Sequence, residues 1–129
     1  MVIDTSAIVA VLQDEPERRR INEAIDAAET CLMSTATFVE CSIILEARHG
    51  DAGRDALDLF IAEAGIELVP VDVEHARAAR RAFNRFGKGR HAAGLNFGDC
   101  FSYALAKTTG QPLLYKREDF TRTDISAAL

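Results

Sequence analysis

The sequence predicts an α/β fold: a central parallel sheet of four or five short strands with helices on both faces. Three observations lead there. Short apolar runs alternate with longer amphipathic stretches along all 129 residues. Hydrophobic residues make up 48 % of the chain, enough for a buried core. No linker, internal repeat or low-complexity tract divides it, so one domain over residues 1–129 is expected. Alternation of this kind builds strand–helix–strand units, whose crossovers make the strands parallel and lay helices over both faces.

Val2–Ile3 opens the sheet, and a helix from Thr5 to Gln13 follows. Pro16 suits the first turn of a second helix, where its missing N–H has no intrahelical partner to lose. That helix runs to Glu29 with Ile21, Ala24, Ile25 and Ala28 on one stripe. Cys31–Met33 is the second strand. A helix from Ala36 to Arg48 follows, closed by Gly50 as its C-terminal cap. The helix Ala52–Glu63 carries Ala56, Leu57, Phe60 and Ile61 as its apolar stripe and stops at Gly65. Ile66–Val69, closed by Pro70, is the third strand. Asp72 starts a basic helix with Ala76, Ala79, Phe83 and Phe86 on its buried side, and a loop at Gly87–Arg90 ends it. The helix Phe97–Thr109 is apolar on most sides and therefore central. Pro112–Tyr115 is the fourth strand, and a short fifth is expected near Asp124–Ile125.

Composition narrows the function classes. No run approaches the roughly 20 apolar residues that span a bilayer, and no basic segment followed by an apolar one marks a signal peptide. The three cysteines, Cys31, Cys41 and Cys100, form no C-x-x-C pair and lie among apolar neighbours. They read as buried thiols of a reducing compartment, which makes the cytoplasm the expected location. The net charge is −5, yet the stretch between Glu74 and Asp99 holds no acid and carries Arg77, Arg80, Arg81, Arg85, Lys88 and Arg90. Such a face is either a solvated helix surface or a contact for a polyanion. His49, His75 and His91 are scattered and read as surface histidines.

Three acids lie in or beside apolar runs at predicted helix starts. Asp4 follows Met1–Ile3, Glu40 lies within Phe38–Leu45, and Asp99 lies within Phe97–Ala104. Burying a carboxylate is costly unless it is paired, capped or bound to metal. Carboxylates brought together also repel, by roughly 4 kcal/mol per pair at ~4 Å and an effective dielectric of ~20. A hard divalent cation cancels that cost. Each acid also has a structural alternative. Asp4 can N-cap the first helix, Thr37-x-x-Glu40 fits a capping box, and Asn96-x-x-Asp99 is a looser version of one. Capping requires none of them to meet in space, whereas a metal site requires all of them to. Chain order sets Asp4 and Asp119 beyond the carboxyl ends of strands, where parallel sheets bind ligands.

Four blocks together resemble the PIN-domain proteins, specifically the VapC-type toxins of bacterial toxin–antitoxin pairs, over essentially the whole length. They are M-V-I-D-T-S-A at Asp4, Thr5 and Ser6, and S-T-A-T-F-V-E ending at Glu40. L-N-F-G-D-C-F-S-Y-A-L-A at Asp99 and Leu113–Lys116 followed by Asp119–Phe120 complete the set. One departure stands out. The family commonly has Gly and then Asn or Asp before the Asp–Phe pair, where this chain has Arg117 and Glu118. That leaves Glu118 and Asp119 both open as the fourth acid, and one or two ions as the stoichiometry.

The resemblance implies an endoribonuclease dependent on Mg²⁺ or Mn²⁺, acting on transfer or ribosomal RNA and leaving 5′-phosphate and 3′-hydroxyl ends. It also implies a homodimer and a tight complex with a cognate VapB-type antitoxin. On that reading Asp4 and Asp99 hold the ion directly, Glu40 acts through water, and Asp119 completes the pocket. Thr5, Ser6 and Ser34 are expected either to bond and orient the carboxylates or to serve as local caps. Arg77, Arg81, Arg85, Lys88 and Arg90 are expected on the RNA backbone. Two rivals remain. A Mg²⁺-dependent phosphoacceptor or phosphatase would use an Asp at a strand end, but Ser6 occupies the place of the second Asp a phosphatase needs, and Lys116 only partly fits a receiver domain. A non-catalytic binding module would use the acids to attract a basic partner.

Overall fold

The computed structural model of this chain describes residues 1–116 and 118–129, with the backbone but not the side chain of Asp119. Its described residues form one four-stranded parallel sheet. The strands are β1 (Val2–Ile3), β2 (Cys31–Ser34), β3 (Ile66–Val69) and β4 (Leu113–Leu114), in the order β3-β2-β1-β4. Val2 pairs with Leu32 on one side and Leu113 on the other, and Cys31 pairs with Ile66. The chain steps outward from β1 to β3 and then crosses back past β1 to β4. The strand order therefore reverses between β1 and β4, and the crevice at their carboxyl ends is where such sheets bind ligands.

Successive strand residues point to opposite faces, and the core follows that period. Ile3 and Leu114 join Ile8, Ile21, Met33, Leu45 and Leu57 on one face. Val2 and Leu113 join Ala79, Ala82, Phe86, Leu95, Leu105 and Phe120 on the other. The flanking helices are α1 (Thr5–Leu12), α2 (Arg18–Ala27), α3 (Thr35–His49), α4 (Asp51–Ala64), α5 (Val73–Phe86) and α6 (Phe97–Thr109). Gly50 (φ 61°) ends α3, and Gly65 ends α4 in the left-handed conformation (φ 65°) that a Cβ disfavours.

Several expectations are corrected. Pro16 lies in the turn before α2, which starts at Arg18 with Glu17 as its N-cap. On α5 the buried stripe is Ala78, Ala79, Ala82 and Phe86, while Ala76 is exposed and Phe83 is 37 % exposed. The small alanines face α6 and let the two helices pack closely, which turns Phe83 to the rim. Near Asp124–Ile125 the described residues form no strand. Instead Leu113 donates to Ser126 O and accepts from Ala128 N, both at 2.9 Å, forming an isolated bridge to Ala127. Asp124 itself is taken up by side chains of α5 and α6. The loop after α5 is fastened at its base: Lys88 N–H donates to Leu95 O (2.8 Å) and Leu95 N–H to Phe86 O (2.9 Å).

Candidate active site

β1 runs straight into Asp4, which is extended (φ −85°, ψ 158°) and only 2 % exposed. Its Oδ2 accepts the Ser6 amide (3.0 Å) and the Ser6 hydroxyl (2.7 Å), so Asp4 caps α1 with one oxygen. Its Oδ1 accepts the Ser102 hydroxyl at 2.7 Å. Ser102 is fully buried, and its Oγ lies 3.2 Å from Thr37 Oγ1. The Ser6 hydroxyl in turn accepts the Lys116 amide (3.0 Å), which ties the end of β4 to the start of α1.

Asp99 is 4 % exposed in the first turn of α6. It forms a complete capping box with Asn96: the Asp99 amide donates to Asn96 Oδ1 (2.9 Å) and the Asn96 amide to Asp99 Oδ2 (3.0 Å). Glu40 is different. The cap of α3 is Ser34, whose hydroxyl accepts the Ala36 amide (3.2 Å), so the helix has already begun when Thr37 is reached. Thr37 and Glu40 therefore form no capping box. Glu40 is half-buried, and its Oε1 accepts the Thr5 hydroxyl at 2.5 Å.

Thr5 and Ser6 thus bond the carboxylates, as one of the two expected roles required, while the Ser34 hydroxyl is used by its cap. Ser102 was missed in the sequence, and Thr37 was read only as a capping residue and not as its partner. The available signal was a polar side chain one turn beyond Asp99 in an otherwise apolar helix. The Asp119 carboxylate lies outside the described residues, as does Arg117; Glu118 is exposed.

The field around these acids is negative. Burial, then Asp4 and Glu40, push the Cys41 thiol up to about 12. Burial and Asp99 push Cys100 to about 11. Both are neutral at physiological pH and are no nucleophiles. All three cysteines are free and buried, as expected. The Thr5 hydroxyl, on the residue that follows Asp4, bonds Glu40 and so brings the two acids to the same end of the sheet. Among the described ion pairs neither has a lysine or arginine partner. Among the described residues no three His, Cys, Asp or Glu side chains stand close enough to enclose a metal ion. Mg²⁺ takes one or two carboxylates directly and keeps several waters. A buried carboxylate whose protein partners are all neutral is chemistry suited to such a cation.

Lys116 does not face this site. Its ammonium bonds Glu15 (2.7 Å) and approaches Glu17 (3.7 Å), and the Glu15 hydrogen bond raises its pKa. Arg77, Arg81, Lys88 and Arg90 are exposed, as a polyanion contact requires. Arg85 is engaged: it bonds Asp124 at 3.3 Å and lies over the Phe86 ring at 4.7 Å. Asp124 also holds Lys107 (2.8 Å), in the last turn of α6 and about 12 Å along the helix from Asp99. Of the histidines, His49 and His91 are exposed and His75 is half-buried.

A family model for the PIN domain matches residues 1–126, and the chain belongs to the PIN-domain family. It is 55 % identical over 126 residues to ribonuclease VapC30 of Mycobacterium tuberculosis, covering 98 % of this chain and 96 % of that one. It is 54 % identical over 127 residues to ribonuclease VapC of Mycolicibacterium smegmatis, covering 98 % of each. Among solved structures it is similar to Mycobacterium tuberculosis VapC20, described as a sarcin–ricin-loop-cleaving toxin (TM-score 0.78, 16 % identity, 96 % of this chain and 95 % of that one). It is also similar to VapBC2 of Rickettsia felis bound to a fragment of its promoter DNA (TM-score 0.75, 12 % identity, 98 % and 94 %). At those identities the structural likeness speaks for the fold, and the close relatives speak for the family.

Proposed function

We propose that this chain is a metal-dependent endoribonuclease, the toxin of a type II toxin–antitoxin pair acting in the cytoplasm. It cleaves RNA, with transfer and ribosomal RNA as candidate targets, and arrests translation and growth until a cognate VapB-type antitoxin binds. The observation that carries this reading is Asp4. It is a buried carboxylate at the strand-order reversal of a parallel sheet, with both oxygens oriented by neutral donors and no protein cation in its described ion pairs.

Asp4 and Asp99 would hold Mg²⁺ or Mn²⁺ directly, Glu40 would act through water, and Asp119 would complete the set. The bound ion supplies an acidified water and draws charge from the phosphate. The residues do the rest. Ser6 and Ser102 fix the plane of the Asp4 carboxylate, so that its outer lone pairs keep one direction. Thr5 holds Glu40 against the same edge, where it can orient the attacking water. Arg77, Arg81, Lys88 and Arg90 bind RNA phosphates and align the chain for in-line attack, leaving a 5′-phosphate and a 3′-hydroxyl.

Between α5 and α6 an apolar groove of about 410 Å³ is lined by Ala76, Phe83, Phe97 and Phe101, and Phe97 is 78 % exposed. That groove supports pairing with a second copy of the chain. The phosphoacceptor reading loses ground because Lys116 is held by Glu15 and Glu17 and because the close relatives are ribonucleases. The test uses purified, antitoxin-free protein on total and transfer RNA with Mg²⁺, Mn²⁺ or EDTA, beside Asp4→Asn and Asp99→Asn. Metal-dependent cutting that both variants lose supports the assignment. Cutting that persists in both overturns the site.

A further inference from the structure

We propose that Gly98 is a positioning residue for Glu40: the side chain it lacks is the space in which the Glu40 carboxylate lies against the first turn of α6. The proposal rests on the reading of Glu40 as a site acid. Gly98 stands inside a helix and is not among the glycines with positive φ, so the backbone has no need of glycine there. Glycine weakens a helix relative to alanine, and its presence calls for another reason. A Cβ placed on Gly98 would fall inside the Glu40 carboxylate, 2.8 Å from Oε1 and closer still to Cδ and Oε2. The three nearest atoms all belong to that one group.

On its other side the carboxylate accepts the Thr5 hydroxyl. It is therefore clamped between α1 and the backbone of α6, one residue from Asp99. The N-terminal turn of α6 favours an anion there, since its first amides have no intrahelical acceptors. Any side chain at position 98 drives Glu40 off this seat. Because the displaced group is the flexible end of a long side chain, the helices need not move with it. The effect falls on the placement of the second acid and not on the fold.

The test is Mn²⁺ titration of antitoxin-free protein, followed by the electron paramagnetic resonance of free Mn²⁺. The variants are Gly98→Ala, Glu40→Ala, the double variant, Asp4→Asn and Asp99→Asn, each with a melting curve. Gly98→Ala is expected to weaken Mn²⁺ binding about tenfold. In the Glu40→Ala background the same change is expected to cost nothing further and to leave melting unchanged or higher, since alanine suits a helix. Three results overturn the proposal: wild-type Mn²⁺ affinity in Gly98→Ala, an equal loss in both backgrounds, or unfolding in both backgrounds. If Asp4→Asn and Asp99→Asn lose Mn²⁺ while Gly98→Ala does not, Gly98 alone is misassigned. If those two variants also keep their affinity, the metal-site reading itself has failed.

Discussion

Asp4 and Asp124 each accept three hydrogen bonds, from different kinds of donor. Asp4 takes one amide and two serine hydroxyls. Asp124 takes the Tyr103 phenol (2.5 Å), the Lys107 ammonium (2.8 Å) and the Arg85 guanidinium (3.3 Å). Two cations cancel the charge of Asp124, and the Lys107 and Tyr103 hydrogen bonds hold its pKa down at about 2. Asp124 staples the C-terminal segment to α5 and α6. The donors around Asp4 fix direction without cancelling charge. A carboxylate oriented but not neutralised keeps its attraction for a cation from outside the chain, as the role proposed for Asp4 requires, whereas the charge of Asp124 is already used in holding the fold together.

The largest test of this contrast is Asp4→Asn. It is expected to lower RNA cleavage about a thousandfold while circular dichroism shows an intact fold. Asp124→Asn should cut RNA at the wild-type rate; a comparable loss there would erase the distinction. Ser102→Ala comes next. It removes the donor on Asp4 Oδ1 and is expected to raise the Mg²⁺ concentration for half-maximal cleavage by about 10- to 100-fold.

Asp124→Asn is expected to lower stability by about 1 kcal/mol, a few degrees in a melting curve, given the partial exposure of its partners. Its pH dependence has a definite sign. The folded-state pKa lies below the ordinary value of 3.8, so the stabilisation is complete above that value and lost as pH falls from 3.8 towards 2. Melting curves of wild type and variant should therefore differ at neutral pH and converge in strong acid. Smallest is the salt test. Replacing Arg77, Arg81, Lys88 or Arg90 singly with alanine should reduce the slope of log affinity for single-stranded RNA against log salt by about 0.7. Arg85→Ala, already committed to Asp124, should change it less.

Most of the sheet was readable because its strands are short, mainly apolar runs bounded by turn residues, with β1 and β4 wholly apolar and buried. The face of α5 was not. Its alanines and phenylalanines fit more than one helical phase, and the close approach of α6 decides between them. The capping-box spacing held at Asn96–Asp99 and failed at Thr37–Glu40, because the motif does not say where a helix begins and Ser34 begins it earlier. Capping and site membership, weighed as alternatives for Asp4, are compatible: one oxygen caps α1, and the other meets a hydroxyl from α6. The role of Ser102 was missed for a related reason. Its partner lies 98 positions away, and only the fold brings them together.

The loop after α5 is clipped at its base, where Gly87 bridges Leu95 immediately before the Asn96 cap. Between the clips Ala93 is buried in the core and His91 packs against Phe86, whereas the exposed Lys88 and Arg90 can change in kind without shifting the helix that follows. The exposed charges of that span can therefore be altered one by one while Asp99 keeps its place in the first turn of α6, so that a polyanion contact and a metal site, if both belong to this chain as proposed, are structurally separable.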